Sequence, residues 1–539
     1  MNFDACSQRF SSQRQLTMSC RGAVATSQPL AANAGLTVMQ EGGNAFDAAL
    51  AAAAALTVVE PTSNGLGGDC FALFSAGGKV TGMNASGWLP GSYPRSLLQK
   101  IAEEQEKLGP YGWEAVTVPG QLAGWKYLRE NYAILDWEKI LKPAIKYARE
   151  GFPVSPVVAR SWKKAVKKYQ ENLKDRFLKH FLANFSKDGR TPHPGEVWQN
   201  HNQADTLEKL ADNGVDDFYK GELAEKFIEF ARSSGGYISE QDLAEFEVKP
   251  VKPLKINYRG HEIFELPPNG QGLIALQALK ILSKWEFDNF NSIEEMHMRI
   301  EALKQAFADG KKYVADPEKI SYNPESLLED EYIKNKRKKI KNQAVSPQPG
   351  NIDTGGTVYL AAMDNKGNSV SFIQSNYTGF GSGIVIPETG IALHNRGYNF
   401  DTDKNSNNFP EPRKRPYHTI IPGYLRSQDD KLAGPFGVMG GYMQPQGHMQ
   451  VLQNLIDYNF NPQEALDAPR WRWQDNKKIF LETTYSANTA QRLADRGHEV
   501  FFSRNKGKFG RGQIILRDQN KGIIIGASEP RADGQVAVF

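Results

Sequence analysis

The chain has 539 residues, 40% of them hydrophobic and 23% charged, enough to bury a core that excludes water from a site. A formal net charge of only +4 argues against a nucleic-acid partner, and no window reaches the roughly 18 apolar residues of a membrane span. Three cysteines (Cys6, Cys20, Cys70) cannot form a disulfide framework, and the polar lead-in at residues 1–21 has no apolar signal core, so a cytoplasmic protein is expected.

Ala23 to Gln28 reads as β. Pro29 to Glu41 reads as a helix ending at Gly42-Gly43, and Asn44 as the N-cap of the Ala-rich helix Ala45 to Val59. Pro61 stops that helix, and the loop Ser63 to Asp69 feeds a strand at Cys70 to Ser75. From about Ala115 to Tyr332 amphipathic helices dominate, at 121–150, 155–185, 203–213, 221–234 and 294–314, with a strand pair near 254–266. The basic run Lys334 to Lys341 reads as a solvated helix end passing into a flexible tail. Asn342 to Ile352, with Pro347, Pro349 and Gly350, has loop composition.

Beyond that loop the pattern turns to β: a strand from Thr357 to Met363, a turn at Asp364 to Asn368, and a return strand from Ser369 to Gln374. Asn376 to Gly383 reads as a Gly-rich active-site loop. Later strands are expected at 384–394, 435–439, 478–482, 499–503, 511–517 and 522–527, with helices at 446–459 and 462–467.

The nine histidines show no HExxH and no cysteine pair has CxxC spacing, so no metal is expected. Gly65-Leu66-Gly67-Gly68 lacks the Lys-Ser/Thr ending of a phosphate loop, and no cofactor is expected. Gly355-Gly356-Thr357 is more informative. Two glycines leave room around one peptide bond, and a hydroxyl on a stiff β-branched residue follows at the head of a strand. A chain that cuts itself before Thr357 needs this arrangement, and the new α-amine, with a pKa of about 7.7–8.0, can serve as the base for the hydroxyl. Alone, the tripeptide also fits a turn feeding a strand. Gly440-Gly441, after the β-like Phe436 to Met439, offers two adjacent N–H groups for an oxyanion, or a tight turn before a helix.

The run Asp353 to Tyr359, then Asp364 to Asn368, then Gly379 to Val385 resembles the γ-glutamyltranspeptidase family. So do Gly35 to Gly68, Val116 to Gly120, Phe218 to Gly221, Ser233 to Gly236, Lys414-Arg415-Pro416, Gly440-Gly441 and Gly526 to Arg531, all in family order. The resemblance implies an α/β fold, a four-layer α-β-β-α sandwich of the N-terminal-nucleophile hydrolase type. It implies cleavage between Gly356 and Thr357 into a large subunit, 22–356 after the lead-in, and a small subunit, 357–539, intertwined in one domain, with a homodimer of that heterodimer as a further expectation. Thr357 is then the nucleophile, Gly440 and Gly441 the oxyanion pair, and Ser375 a hydroxyl that orients the nucleophile. For Ser375 an ordinary strand-end serine remains the alternative. The implied activity is γ-glutamyl transfer or hydrolysis of a small-molecule amide, with glutathione as default donor and water or an amine as acceptor.

The family's substrate-reading positions depart from the pattern. The Arg that grips the α-carboxylate aligns with Ser86, the Ser-Ser pair with His418-Thr419, the Asp with Asn399, and an Asn beside the nucleophile with Tyr377 next to Asn376. A bidentate Arg supplies a fixed charge that Ser does not replace. Arg396 offers a charge from another direction, against an alternative role in a core or surface ion pair, and His418 offers one if protonated, against an alternative as a satisfied structural histidine. The alternatives are an acylase for another amide-linked acid, such as a glutaryl or cephalosporin acylase, and a catalytically silent scaffold of the same fold.

Overall fold

The computed structural model describes residues 14–104, 107–290, 292–347 and 356–539. Cys6 with most of the lead-in, and Asp353-Thr354-Gly355, lie outside them.

Two seven-stranded antiparallel sheets face each other. Neighbour by neighbour, the first runs Gln535–Val538, Gly22–Thr26, Gly356–Asp364, Ser369–Tyr377, Asp69–Ala76, Lys79–Ala85 and Lys249–Val251. The second runs Thr17–Ser19, Ile523–Ser528, Arg511–Asp518, Leu432–Met439, Gly423–Ser427, His261–Glu265 and Leu254–Tyr258. Side chains alternate between faces along each strand. Phe71, Leu73, Tyr359 and Ile373 of the first sheet therefore meet Phe264, Tyr424 and Ile515 of the second. Their neighbours Ala72, Phe74, Leu360 and Phe372 point outward, under a helical layer that includes Ala45–Val59. On the far side, Ile263, Leu425, Phe436 and Ile514 pack beneath Gly272–Leu282, Ile293–Tyr313 and Gln444–Ile456. This is the expected four-layer α-β-β-α sandwich. Each sheet takes strands from both sides of Gly356, so one core is shared by the two segments.

The Ala-rich helix is buried along its whole length, and Asn44 and Asp47 close a capping box at its start. Several boundaries differ from the sequence reading. Residues 121–150 form two helices, Gln121–Asn131 and Trp137–Glu150, because Asp136 accepts from Lys139 N–H (3.0 Å) and starts a second one. Residues 155–185 likewise divide into Pro156–Asn172 and Asp175–Phe185. Residues 384–394 form no strand, only isolated bridges: Val385 with Ala392 around a turn with Glu388 and Gly390 at positive φ, and Leu393 with Gly67. Lys79–Ala85, Gly423–Ser427 and Gln535–Val538 were not anticipated; partner strands, not their own pattern, hold them.

The basic run ends the helix Asp330–Arg337 and exposes Lys334, Lys338, Lys339 and Lys341, as expected of a solvated helix end, but two of its cations are tied down. Lys336 is buried in an ion pair with Asp309, and Arg337 donates to the carbonyls of Lys280 (2.6 Å) and Ile281 (2.9 Å). Further on, Ala344 N–H donates to Arg496 O (2.7 Å). The segment that precedes the expected cut is therefore fastened through residue 344.

Near the C-terminus the buried guanidiniums of Arg470 and Arg531 share Glu529, at 2.8 and 2.6 Å, and Arg531 Nε also donates to Glu482 (2.7 Å). Burial pushes the Glu529 carboxyl up, but Arg470 and Arg531 more than offset it and hold it below 4.5. A depressed carboxyl stabilises the fold above its unfolded value and loses that contribution as pH falls through its folded value. Glu529→Ala leaves two buried cations short of a partner, with an expected loss of about 3–5 kcal/mol. Calorimetry at pH 7 should show a lower Tm, and the gap to wild type should narrow under acid. An unchanged Tm would contradict this account.

Candidate active site

Thr357 is the second residue of Gly356–Asp364 and is 2% exposed. Gly356 pairs with Tyr377 and Val358 with Gln374, so the register shifts between them and Ser375-Asn376 stand opposite Thr357 alone. Such a bulge re-aims side chains out of the regular alternation. Tyr377 ends the paired strand at φ 73, a left-handed conformation uncommon for a bulky residue. The Ala-rich helix fixes the other wall. Asn64 Nδ2 donates to the helix-end carbonyls of Leu56 (3.1 Å) and Glu60 (2.9 Å), and Gln374 Nε2 donates to Asn64 Oδ1 (2.7 Å). Asn376 N–H donates to Ser63 O (3.3 Å), which sets Thr62 and Ser63 against Gly356.

The Thr357 hydroxyl lies 2.7 Å from Gly356 O and 3.3 Å from Ser375 Oγ. Ser375 Oγ donates to Gly356 O (2.7 Å) and accepts from Tyr377 N–H (2.7 Å) and Arg396 Nη2 (3.3 Å). Arg396 is fully buried, donates through Nη1 to Thr419 Oγ1 (2.8 Å) and lies over the Tyr377 ring, 4.3 Å from its centre. Burial pulls its pKa down to about 10, with Asp69 opposing, so it stays a cation at neutral pH. Behind it, His418 Nε2–H donates to Asp69 Oδ2 (3.1 Å), and Asp69 Oδ1 accepts from the N–H groups of Gly87 and Gly120, each at 3.2 Å. Burial alone would raise the Asp69 carboxyl; His394, His418 and Arg396 together bring it below its ordinary value.

A cavity of about 400 Å³ opens at Thr357. Gly356, Thr62 and Ser63 line it on one side and Gly440 on another. Gly440 and Gly441 have φ of 139° and 62°, and Gly441 O accepts from Gln271 Nε2 (3.0 Å), which fixes the turn. Among the described residues the N–H groups of this pair have no acceptor. A buried hydroxyl beside a carbonyl at the cavity, a second hydroxyl and a fixed cation behind it, and Gly440 on the cavity wall are parts that acyl transfer can use.

The family model of gamma-glutamyltranspeptidase matches residues 31–539. The chain belongs to the gamma-glutamyltranspeptidase family. It is 49% identical to the cephalosporin acylase of Bacillus halodurans, whose crystal structure superposes with a TM-score of 0.96 over 100% of this chain and 99% of that one. It is 32% identical to a glutathione hydrolase-like proenzyme of Bacillus subtilis over 88% of this chain and 90% of the relative. It is 33% identical to an oxamate amidohydrolase proenzyme of Klebsiella pneumoniae over 89% and 91%. The protein is thus a gamma-glutamyltranspeptidase-family enzyme with the N-terminal-nucleophile fold.

None of the residues aligned with the gamma-glutamyltranspeptidase substrate contacts lines the cavity. Ser86 is buried, donating to Asn84 Oδ1 (2.7 Å) and accepting from Asn269 Nδ2 (3.2 Å), so it is a packing residue and not an exposed stand-in for the Arg. For His418 the structural reading holds and the carboxylate-binding one does not: burial, then Arg396, push its pKa down to about 3, so it stays neutral and supplies no charge for a carboxylate. Asn399 accepts from the Tyr377 hydroxyl and donates to Tyr417 O (3.0 Å). Thr419 and Tyr377 hold Arg396. Asn376 is buried over Gly68, where a Cβ would meet the backbone oxygen of Ser375 at 2.9 Å as well as Asn376 Oδ1 at 2.8 Å, so a larger residue there would displace the strand end. These residues form a layer behind Thr357. The Arg396 charge therefore faces the Thr357 and Ser375 hydroxyls and not the open cavity.

One cluster among the described residues has metal-ligand spacing, His297, Glu301 and His498. It already holds a cation: Lys304 Nζ donates to Glu301 Oε1 (2.6 Å), and His297 Nδ1 and His498 Nε2 are 2.8 Å apart. The sequence reading missed Lys164, Lys168 and Arg511, which line the active-site cavity. The repeat of lysine at one-turn spacing in 163–168 was the available signal.

Proposed function

We propose that this protein is an autoprocessed N-terminal-threonine amidohydrolase and acyltransferase acting on γ-glutamyl amides of the glutathione type. The observation that carries it is the Thr357 hydroxyl, 2.7 Å from Gly356 O and linked through Ser375 to Arg396, at a cavity with Gly440. In the precursor, Thr357 Oγ1 attacks the Gly356 carbonyl, whose oxygen already accepts from Ser375. The C–N bond breaks, an ester joins Gly356 to Thr357, and water releases residues 1–356. The freed α-amine then takes the hydroxyl proton as Thr357 attacks a substrate amide. Gly440 and Gly441 N–H groups hold the oxyanion, the amine departs with the proton, and water or another amine takes the acyl group. The large and small subunits remain one body because both sheets interleave their strands.

A second reading, an acylase for another amide-linked acid, is favoured by Ser86 and Asn399 at the positions that read a zwitterionic amino-acid end, and by the 49% identity to a cephalosporin acylase. Assaying γ-glutamyl and glutaryl anilides side by side separates the two. Turnover of the γ-glutamyl compound is expected; turnover of glutaryl anilide alone would remove glutathione-type donors. Inactivity of a fully processed protein toward both would favour the scaffold.

A further inference from the structure

Gln271 is fully buried and stands at the N-cap of Gly272–Leu282, yet its side chain makes no cap hydrogen bond to that helix. Its amide instead joins three other segments. Nε2 donates to Gly441 O (3.0 Å) and to Thr419 O (2.6 Å), and Oε1 accepts from the Tyr417 hydroxyl (2.9 Å). Carbonyl oxygens only accept, so the amide has one orientation and both its N–H hydrogens are used. Thr419 is the residue whose hydroxyl accepts from Arg396 Nη1 (2.8 Å). One amide therefore spans the Gly440-Gly441 turn and the layer beneath the Thr357 and Ser375 hydroxyls. The other flank of the turn is fixed separately. Gly423–Ser427 pairs with Leu432–Met439 only as far as Phe436. Beyond that point Val438 N–H donates to Nε2 of the buried His448 (3.0 Å), and His448 Nδ1–H donates to Glu265 Oε1 (2.6 Å). Met443 N–H donates to Gly440 O (3.1 Å). The two peptide planes that carry the Gly440 and Gly441 N–H groups thus lie between a held Val438 N–H and a held Gly441 O.

Resting on the function proposed above, we propose that Gln271 is a positioning residue: by tying the turn to the segment that supports Arg396, it sets the distance between the oxyanion donors of Gly440-Gly441 and the Thr357 hydroxyl. Such donors stabilise a transition state only about 2.7–3.1 Å from the place where the negative oxygen forms, and a displacement of about 1 Å can cost about 100-fold. A turn of two glycines, at φ 139° and 62°, has no side chains of its own to resist that displacement. Gln271 does not line the cavity, so it bears on the rate and not on substrate binding.

Gln271→Met keeps the length of the side chain and removes the amide. Gln463→Met is the control: Gln463 is likewise buried, donates to Ser528 O (2.9 Å) and accepts from Ser528 N–H (3.1 Å), but does not line the cavity. With γ-glutamyl anilide, kcat of Gln271→Met should fall by about 30-fold or more while KM stays within about twofold, and Gln463→Met should keep the wild-type kcat. Gln271→Glu sets a second oxygen against the two carbonyls and regains a donor only when protonated, so its kcat should lie below wild type and fall further as pH rises. Hydrogen exchange needs neither processing nor turnover: peptides covering 439–443 should exchange at least about tenfold faster in Gln271→Met than in wild type or Gln463→Met. An unchanged kcat, a rise in KM alone, an equal kcat loss in Gln463→Met, or unchanged exchange at the turn overturns the assignment even where γ-glutamyl turnover is observed. Faster exchange confined to Gln271→Met, in a protein inactive on every amide, would keep the clamp on the turn and reject the proposed reaction.

Discussion

Thr357→Ala is expected to remain one full-length chain with turnover reduced by about 10⁴-fold or more, while the unaltered protein separates under denaturing conditions into residues 1–356 and 357–539. The magnitude is that of removing a covalent nucleophile, where the residual rate comes only from binding and oxyanion stabilisation. Both losses share one cause. The hydroxyl 2.7 Å from Gly356 O is the group that would cut the chain, and cutting the chain frees the amine that would activate the hydroxyl afterwards. Thr357→Ser keeps the oxygen and should process, more slowly, because the β-methyl that narrows χ1 is gone. Intact mass and N-terminal sequencing read the outcome. Residue 357 still peptide-linked in fully active material would remove the mechanism.

Arg396→Met should lower kcat by about 100-fold and move the acidic limb of kcat/KM to higher pH by about one unit. The sign follows from charge. The base is the neutral α-amine, and a nearby cation disfavours its ammonium form, so Arg396 lowers the amine pKa and its removal raises it. Two contacts of 3.3 Å separate the guanidinium from the Thr357 hydroxyl. At an effective dielectric constant of about 20, a unit charge roughly 6–7 Å away is worth about 2.5 kcal/mol, and the Asp69 carboxylate behind Arg396 offsets part of it, leaving about one pH unit. Arg396→Lys keeps the charge but not the fork that reaches both Ser375 and Thr419, so kcat should fall while the limb stays in place. A purely structural Arg396 would change kcat in both variants and move the limb in neither.

The sequence carried a large share of the architecture. The Ala-rich helix with its Asn44 cap, the hairpin after Gly356 and the helices at 203–213 and 462–467 were legible because each combines periodicity with its own stop signals. Short strands such as Lys79–Ala85 and Gln535–Val538 were not, since they owe their existence to neighbours far along the chain. Thr357, Ser375, Gly440 and Gly441 stood out as motif positions. The aligned substrate contacts were harder to read, because a position in a motif does not say which way its side chain faces.

The amino-acid sequence by itself determined the family, the layered α/β fold and the residue at which a self-cutting chain would divide, because glycine pairs, caps and strand patterns act locally and keep their order. Only the tertiary structure decided that Arg396 lies beneath the Thr357 and Ser375 hydroxyls, that His418 is a neutral partner of Asp69, and that Lys164, Lys168 and Arg511 line one cavity. Charge and burial belong to neighbourhoods, and these neighbourhoods join residues hundreds of positions apart in the chain.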